Sequence, residues 1–470
     1  MTSDGSRDGT TVRALLSRVA DEMPGGPVAV PPALLTPSHR PRRRLVVLVT
    51  GFAVVLVAAA VPIALRPWSP PANRGEPHPL PSLVLPRPTG SATASELVRG
   101  TWSALPPAPI EGRSDAATVW TGRQMLVWGG RPDDGPYLDD GAAYDPAQRR
   151  WQKMPPSPLG PRSNAASVWT GKAMFVWGGS NDGADADDGA LYDPQASTWR
   201  KVAPAPLGPR ADAVALWTGS EVLVLGGHHG NDSTEVFLDG AAYDPTTDTW
   251  QSLPSIPFAR LQDAELLTFA LTPVGLDVWL FSGHTEQVGQ NTSETTKGID
   301  AYRLDATSGR WTKVDPGELD SIGTPLWTGD EVIFPASAPF YPFGLPVPAP
   351  FNLHGLVLDA GGTWHSMTHG PVDDLRGRSV WTGAALLTFD TGTYTSGPDG
   401  EMLPGAAAAW DPATDSWLRL PGAPAFGADS AVWTGAELIE WGAMFRTDGY
   451  NPGGPPPVPS TIGLAFTPSD

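Results

Sequence analysis

The sequence predicts an all-β protein, a seven-bladed β-propeller closed by an N-terminal strand and preceded by a single transmembrane helix with a short cytoplasmic tail. Three observations carry that expectation. Glycine and proline each occur 53 times in 470 residues, too often for long helices and in keeping with short strands joined by tight turns. A Trp-Thr-Gly tripeptide recurs at Trp120, Trp169, Trp217, Trp327, Trp381 and Trp433, with a divergent copy, ELLTFALTPVGLDVWLFSGH, inside the one gap of double length. A run of 21 residues without charge, LVVLVTGFAVVLVAAAVPIAL from Leu45 to Leu65, stands ahead of the repeats.

Charge divides the chain before the repeats begin. Residues 1–44 hold seven arginines against Asp4, Asp8, Asp21 and Glu22, a charge of +3, whereas the chain as a whole is at −19. Residues 45–65 have the length of a bilayer core at about 1.5 Å rise per residue, and read as a signal anchor. Arg40, Arg42, Arg43 and Arg44 directly precede the run and only Arg66 directly follows it, so the tail is expected in the cytoplasm and the rest outside the cell membrane. A cleavable signal peptide ending near Ala58-Ala59-Ala60 is the competing reading; the long charged lead and Pro62 tell against it.

Within the tail, Val12, Leu15, Leu16, Val19 and Met23 recur at helical spacing, one short amphipathic helix that could meet a cytosolic partner, lie on the membrane, or simply fray. Residues 66–95 carry eight prolines, from Pro67 to Pro88, and form an extended linker of about 3.1 Å per residue. The propeller is expected from residue 96 to residue 470.

Each repeat parses into four strands. In the first, AATVW is strand a, Thr121-Gly122 a turn in which glycine takes positive φ, QMLVWGG strand b, GAAYDP strand c and RWQKM strand d. Asp145-Pro146 suits a type I turn between c and d. A second tryptophan series, Trp102, Trp151, Trp199, Trp250, Trp311, Trp364 and Trp417, marks the d strands, most of them six residues after an Asp. Strands a and b are nearly continuous apolar runs, as expected of strands buried on both faces. Such sheets need neighbours on both sides, and stacking them around an axis supplies these. GLAFTPSD at the C-terminus aligns with GAAYDPAQ at 141–148 but ends before any d strand, while TWSAL at 101–105 precedes any a strand. The N-terminal strand is therefore expected to complete blade seven.

Arg, a small-apolar strand, a turn, an apolar strand closing on Gly129-Gly130, Gly178-Gly179 or Gly226-Gly227, then Tyr-Asp-Pro and the second Trp: this order resembles the kelch repeat over roughly residues 98–468. Later copies depart from it, with Ser282-Gly283, FPA at 334–336, TFD at 388–390 and Trp441-Gly442-Ala443 in place of Gly-Gly. The resemblance implies a binding platform, or by way of relatives similar to galactose oxidase, a copper enzyme. That oxidase's tyrosine–cysteine cofactor is excluded, because the chain has no cysteine. The histidines of the repeat region, His228, His229, His284, His354, His365 and His369, fall at irregular positions and suggest ordinary loop residues over a metal site. No Gly-x-Ser-x-Gly elbow or phosphate loop is present.

Loops carry the rest of the functional reading. In a propeller the b–c and d–a connections emerge on one face. Here they bring together Asp133, Asp134, Asp139 and Asp140, then Asp182, Asp185, Asp187 and Asp188, then Asp232, Glu235 and Asp239, opposed among the b–c loops by Arg131 alone. Arg113, Arg162 and Arg210, each seven residues before a Trp-Thr-Gly, and His228 and His229 join the same face as candidate partner-binding residues. Their structural alternatives are arginines bonded to loop carbonyls or to Asp115 and Asp212, and a merely solvated acidic rim. NDGADADDG at 181–189 alternates oxygen ligands as a calcium loop does, so Asp182, Asp185, Asp187 and Asp188 are candidate calcium ligands, although no distal glutamate follows. Most of the 19 tryptophans sit at the repeated positions, which favours packing over sugar binding.

The expected function is recognition or sensing of an extracellular protein or glycan by the loop face. The alternative is an exported enzyme acting on carbohydrate or cell-wall material through paired carboxylates. The strong acidity argues against nucleic acid as a partner.

Overall fold

The computed structural model describes residues 90–132, 135–182, 184–229, 232–257, 264–272, 275–287, 293–315, 325–335, 355–359, 361–368, 370, 378–389, 407–420, 430–442 and 463–469. The tail, the apolar run 45–65 and most of the linker 66–95 lie outside these residues. Among the described residues no helix is long and apolar enough to cross a membrane.

Seven four-stranded antiparallel sheets form the blades. Strands a to d are Ala117–Trp120, Met125–Trp128, Gly141–Asp145 and Arg150–Lys153 in blade one, and Ala166–Trp169, Met174–Trp177, Gly189–Asp193 and Thr198–Lys201 in blade two. Blade three has Val214–Trp217, Val222–Leu225, Gly240–Asp244 and Thr249–Ser252; blade four has Ala264–Thr272, Gly275–Gln287, Ser293–Asp305 and Trp311–Val314. Blade five, the smallest, has Leu326–Trp327, Val332–Phe334, Leu356–Leu358 and Trp364–Ser366. Blade six has Arg378–Trp381, Leu386–Phe389, Ala407–Asp411 and Ser416–Arg419. In blade seven, a is Ser430–Trp433, b is Leu438–Trp441, c is Gly463–Thr467, and d is the N-terminal strand Thr101–Ala104. Trp102 pairs with Phe466 and Ala104 with Leu464, so the two ends of the repeat array meet in one sheet as the repeat phase predicts. Strands b and c of blade four run on beyond their neighbours, pairing Gly283 with Lys297 through to Gln287 with Ser293.

The b strands are buried throughout in blades one, two, three, six and seven, where the apolar run faces a blade on either side. The a strands differ from the expectation. They are half-buried, because alternate side chains such as Thr118 and Ser167 face the central cavity instead of a neighbouring blade. Packing between blades is aromatic and shared: Trp151 lies 5.4 Å from Trp441 of blade seven, and Trp250 lies 6.1 Å from Phe175 and Trp177 of blade two.

The repeated motifs have local causes. In Trp-Thr-Gly the threonine hydroxyl accepts from the backbone N–H three residues on, as Thr218 does from Glu221 at 2.9 Å and Thr434 from Glu437 at 2.9 Å, and the glycine takes positive φ. Aspartates of the c–d turns accept from backbone N–H groups two or three residues on, with one further residue, such as Asp248 or Asp415, in the left-handed region. Gly129 explains the Gly-Gly pair: a Cβ there would stand 2.8 Å from the Arg162 carbonyl, to which Gly130 N–H donates at 2.8 Å.

A short helix, Ala94–Val98, precedes the closing strand, opened by a capping box of Thr93 and Glu96. Its Ala94 and Leu97 are buried with Leu387, Phe389 and Phe466 at the blade six to seven junction, and Ala92 bridges to Gly383. The propeller domain thus reaches back at least to Gly90, before the expected boundary at residue 96.

Candidate functional site

Three arginines organise one end of blades one to three. Arg113, Arg162 and Arg210 have side chains 0%, 7% and 0% exposed, and each makes the same set of bonds. The Nε atom donates to a carbonyl two residues back, that of Glu111, Gly160 or Gly208. The Nη1 atom donates to the first carbonyl of the blade's Gly-Gly pair and to the last aspartate of its b–c loop: Asp140 at 2.8 Å, Asp188 at 2.8 Å, Asp239 at 2.6 Å. Each arginine therefore clamps its own blade's b–c loop. The carbonyls of Arg162 and Arg210 meanwhile accept from Gly130 and Gly179 of the blade before, which ties neighbouring blades together.

The guanidinium groups accordingly point inward, and their carboxylate partners are Asp140, Asp188 and Asp239, not the Asp115 and Asp212 expected as alternatives. Removing such a buried arginine would strand the carbonyls and the carboxylate that accept from it. Burial works to raise the carboxyls of Asp140 and Asp188, but bonds and charge from Arg113 and Lys153, and from Arg162 and Lys201, outweigh it and hold both low. Both carboxylates stay ionised, and the arginine and lysine paired with each offset their charge at the rim.

The b–c loops are placed as follows. Asp133 and Asp134 lie outside the described residues. Asp139, Asp182 and Asp187 are exposed. Asp232 opens the strand Asp232–Val236, which pairs with His228–His229. NDGADADDG folds as a small hairpin, Ser180 opposite Asp185 and Asn181 opposite Ala184, with Asp182 at φ 53° in its turn. Asp185 meets His229 Nδ1 at 2.8 Å, and Asp188 meets Arg162 and Lys201. A calcium ion bound by all four aspartates would have to displace these partners. Among the described residues no three His, Asp or Glu side chains converge as metal ligands.

One concave feature of this end, among the described residues, is the mouth of the central cavity, about 320 Å³, lined by Asp115, Thr118, Asn164, Ser167, Asp212 and Arg378 with alanines between them; another, of about 350 Å³, lies between the b–c loops of blades one and two against Arg131, Tyr137 and Asp182. Asp115, Asn164 and Asp212 occupy one position in three successive blades, two residues after each clamping arginine. All three are left-handed, at φ 53°, 53° and 54°. Their backbones form a chain around the mouth: Asn164 N–H donates to Asp115 O and Asp212 N–H to Asn164 O, both at 3.0 Å. Left-handed backbone is tolerated by Asn and Asp better than by other residues with a side chain, and strain of about 1–3 kcal/mol of this kind clusters at functional sites.

Electrostatics at the mouth are mixed. His228 Nε2 meets Asp212 Oδ2 at 2.8 Å, and Asn164 Nδ2 donates to the same oxygen at 3.3 Å. Burial pushes the Asp212 carboxyl up, His228 opposes that shift, and the nearby charge of Asp115 adds to it. Arg378, exposed at the start of strand a in blade six, brings a cation to the same cavity. Deeper in, the Thr118 and Ser430 hydroxyls lie 2.7 Å apart. Of this set only Asp115, Asp212 and His228 were named from sequence, the two aspartates solely as arginine partners. The pattern Arg-x-Asx-Ala, at RSDA, RSNA and RADA, is the sequence signal that marks the mouth.

Fold and rim together define a seven-bladed repeat propeller with arginine-clamped loops around a polar mouth. Residues 91–266 match the model described as the KLHDC2/KLHL20/DRC7 Kelch-repeats domain, and the propeller is of the kelch-repeat type. Among solved structures the chain is similar to the structure of YjhT, with 16% sequence identity over 67% of this chain and 99% of that one and a TM-score of 0.45. No curated protein matches the chain.

Proposed function

We propose that the protein is a membrane-anchored recognition module, carried outside the cell on residues 45–65, that holds a protein or glycan ligand at the mouth of its propeller. One observation carries the reading: three successive blades present Asp115, Asn164 and Asp212 at the same strained position around one cavity, on loops clamped by buried arginines. Preformed concave sites with a few convergent polar groups are the ordinary form of a ligand pocket. The anchoring and orientation are supported by the Arg40–Arg44 cluster and the uncharged run that follows it.

A second reading is favoured by one feature, the raised Asp212 carboxyl beside Asp115, an arrangement that can supply an acid and a base to a glycoside. One screen addresses both. Full-length protein in detergent micelles is applied to glycan and peptide arrays, then retested as the Asp115→Asn, Asp212→Asn double variant with its thermal unfolding checked. Recognition at the mouth predicts retained ligands with unaltered mass and a loss of about tenfold or more in affinity in the variant. A ligand held equally well by the folded variant overturns the proposal, and release of cleaved glycan moves the protein to the enzymatic reading.

A further inference from the structure

The end of the ring opposite the mouth carries the Thr-Gly turns between strands a and b, and the first described residues of the chain lie across two of them. Ala92 forms a parallel bridge with Gly383 of blade six, and its carbonyl accepts from the Thr382 hydroxyl at 2.6 Å. Gly90, two residues earlier, lies against blade seven: a Cβ on Gly383 would overlap the Gly90 carbonyl, and a Cβ on Gly90 would overlap the Gly435 carbonyl. Toward the N-terminus the chain therefore steps from blade six to blade seven in two residues. We propose that it continues in the same direction, with residues 86–89 of the proline-rich linker docked as a strap across the Thr-Gly turns of blades one and two.

The turns ahead of the strap repeat those it already covers. Gly122 of blade one and Gly171 of blade two are exposed, and a Cβ on either would meet no atom of the described residues within 4 Å. Their φ angles of 86° and 83° match those of Gly383 and Gly435, 96° and 97°, so all four turns offer the same bare backbone to an approaching main chain. Blade one also has a donor to spare. Thr170, Thr218, Thr328, Thr382 and Thr434 each donate to the carbonyl three residues on. Thr121 instead only accepts, from the N–H groups of Arg123 and Gln124 at 3.2 and 2.8 Å, and its own O–H has no acceptor among the described residues. That hydroxyl is suited to a carbonyl arriving from outside the turn, the bond that Thr382 makes to Ala92.

The sequence of the occupant fits this chemistry. Residues 85–90 read Leu-Pro-Arg-Pro-Thr-Gly. Proline lacks an N–H but keeps its carbonyl and favours extended chain, so it is no obstacle where the strap supplies the acceptor and the turn the donor. At two residues per blade, Pro88 falls at blade one and Pro86 at blade two. The end of the linker then belongs to the propeller, on the side away from the mouth, which it leaves uncovered. This inference stands apart from what the mouth binds.

The chain has no cysteine, so spin labels can be placed singly or in pairs on the full-length protein in micelles. The Arg87→Cys, Lys172→Cys pair should give one narrow distance by pulsed dipolar spectroscopy, and so should Arg87→Cys with Thr363→Cys of blade five. Thr121→Val should raise the undocked fraction about fivefold, the effect of one lost hydrogen bond, while Thr121→Ser retains the narrow distance. Thermal unfolding checks that both variants are folded. Broad distributions from both pairs, as a free tether gives, overturn the inference, and so do narrow distances that Thr121→Val leaves unchanged. If a mixture of copies labelled singly at Arg87→Cys and at Lys172→Cys reproduces the short distance, a second copy's segment lies on the turns and the intrachain strap is equally overturned.

Discussion

Glu440 shows how much one side chain can depend on where the ring puts it. The equivalent place in strand b is Val127 in blade one, Val176 in blade two and Val224 in blade three, so a carboxyl stands where the repeat expects an apolar residue. It is 4% exposed, and burial lifts it from 4.5 to about 8, against the opposing charge of Arg378. The unfolded chain releases this proton near 4.5 and the folded chain near 8, so between the two the native state binds more protons. Stability therefore falls as pH rises through that window; below 4.5 the group contributes nothing, and above 8 its cost is constant. Glu440→Gln should raise stability by on the order of 3 kcal/mol at pH 7 and leave it nearly unchanged near pH 4.5, as read from urea unfolding of both proteins across that range. A gap independent of pH would mean that Glu440 is ionised in the folded protein. Nothing local in LIEW separates this glutamate from a solvated one; only the adjoining blade does.

At the scale of the strand and its turns, the second tryptophan series joins blades one to six each to the one before, whereas Trp102 of blade seven makes no such bond. Trp151, Trp199, Trp250, Trp311, Trp364 and Trp417 all donate from Nε1 to a carbonyl just beyond strand d of the preceding blade, at distances from 2.8 to 3.2 Å. The rings also pack in the gap they bridge, as Trp250 does against Phe175 and Trp177 of blade two, both at 6.1 Å. These residues serve both apolar packing and a specific inter-blade bond, which accounts for their regularity without a sugar. Trp250→Phe retains an aromatic ring but leaves the Ala203 carbonyl without its indole donor, and should lower stability by about 1–2 kcal/mol, seen as a lower urea midpoint with an unchanged slope. An unchanged midpoint would show that water replaces the indole at no cost. The spacing of six after an Asp made these strands legible, whereas the acceptor, some 44 to 57 residues earlier in the chain, became identifiable only in the folded ring.

Closure belongs to the whole molecule. Blade seven takes three strands from the C-terminus and one from Thr101–Ala104, with Trp102 against Phe466 at 5.0 Å, so ring integrity rests on residues more than 360 apart in sequence. The helix Ala94–Val98 adds Ala94 and Leu97 to the same junction. Deleting residues 90–104 exposes the edge of strand Gly463–Thr467 together with Phe466, and should lower the melting temperature by several degrees and promote association, measured by scanning calorimetry and light scattering. A monomer melting at the original temperature would show that the ring holds without its closing strand.

The sequence by itself determined the all-β class, the seven repeats, the turns and the crossing of N- and C-terminal strands in one blade. Those features rest on local chemistry: a threonine hydroxyl closing its own turn, a glycine where the backbone must take positive φ, an apolar run where a strand has neighbours on both faces. Arg113, Arg162 and Arg210 were legible as a periodic set, but their burial was not, because the aspartates and carbonyls that accept from their Nη1 atoms lie on loops brought close only by folding. The same holds for the mouth. Asp115, Asn164, Asp212 and Arg378 come from four blades and share one cavity because the ring turns the start of each a strand toward a common axis. Residue types and spacing record what a segment does with its neighbours in the chain; which charges share a low-dielectric space depends on distances that only the closed propeller sets.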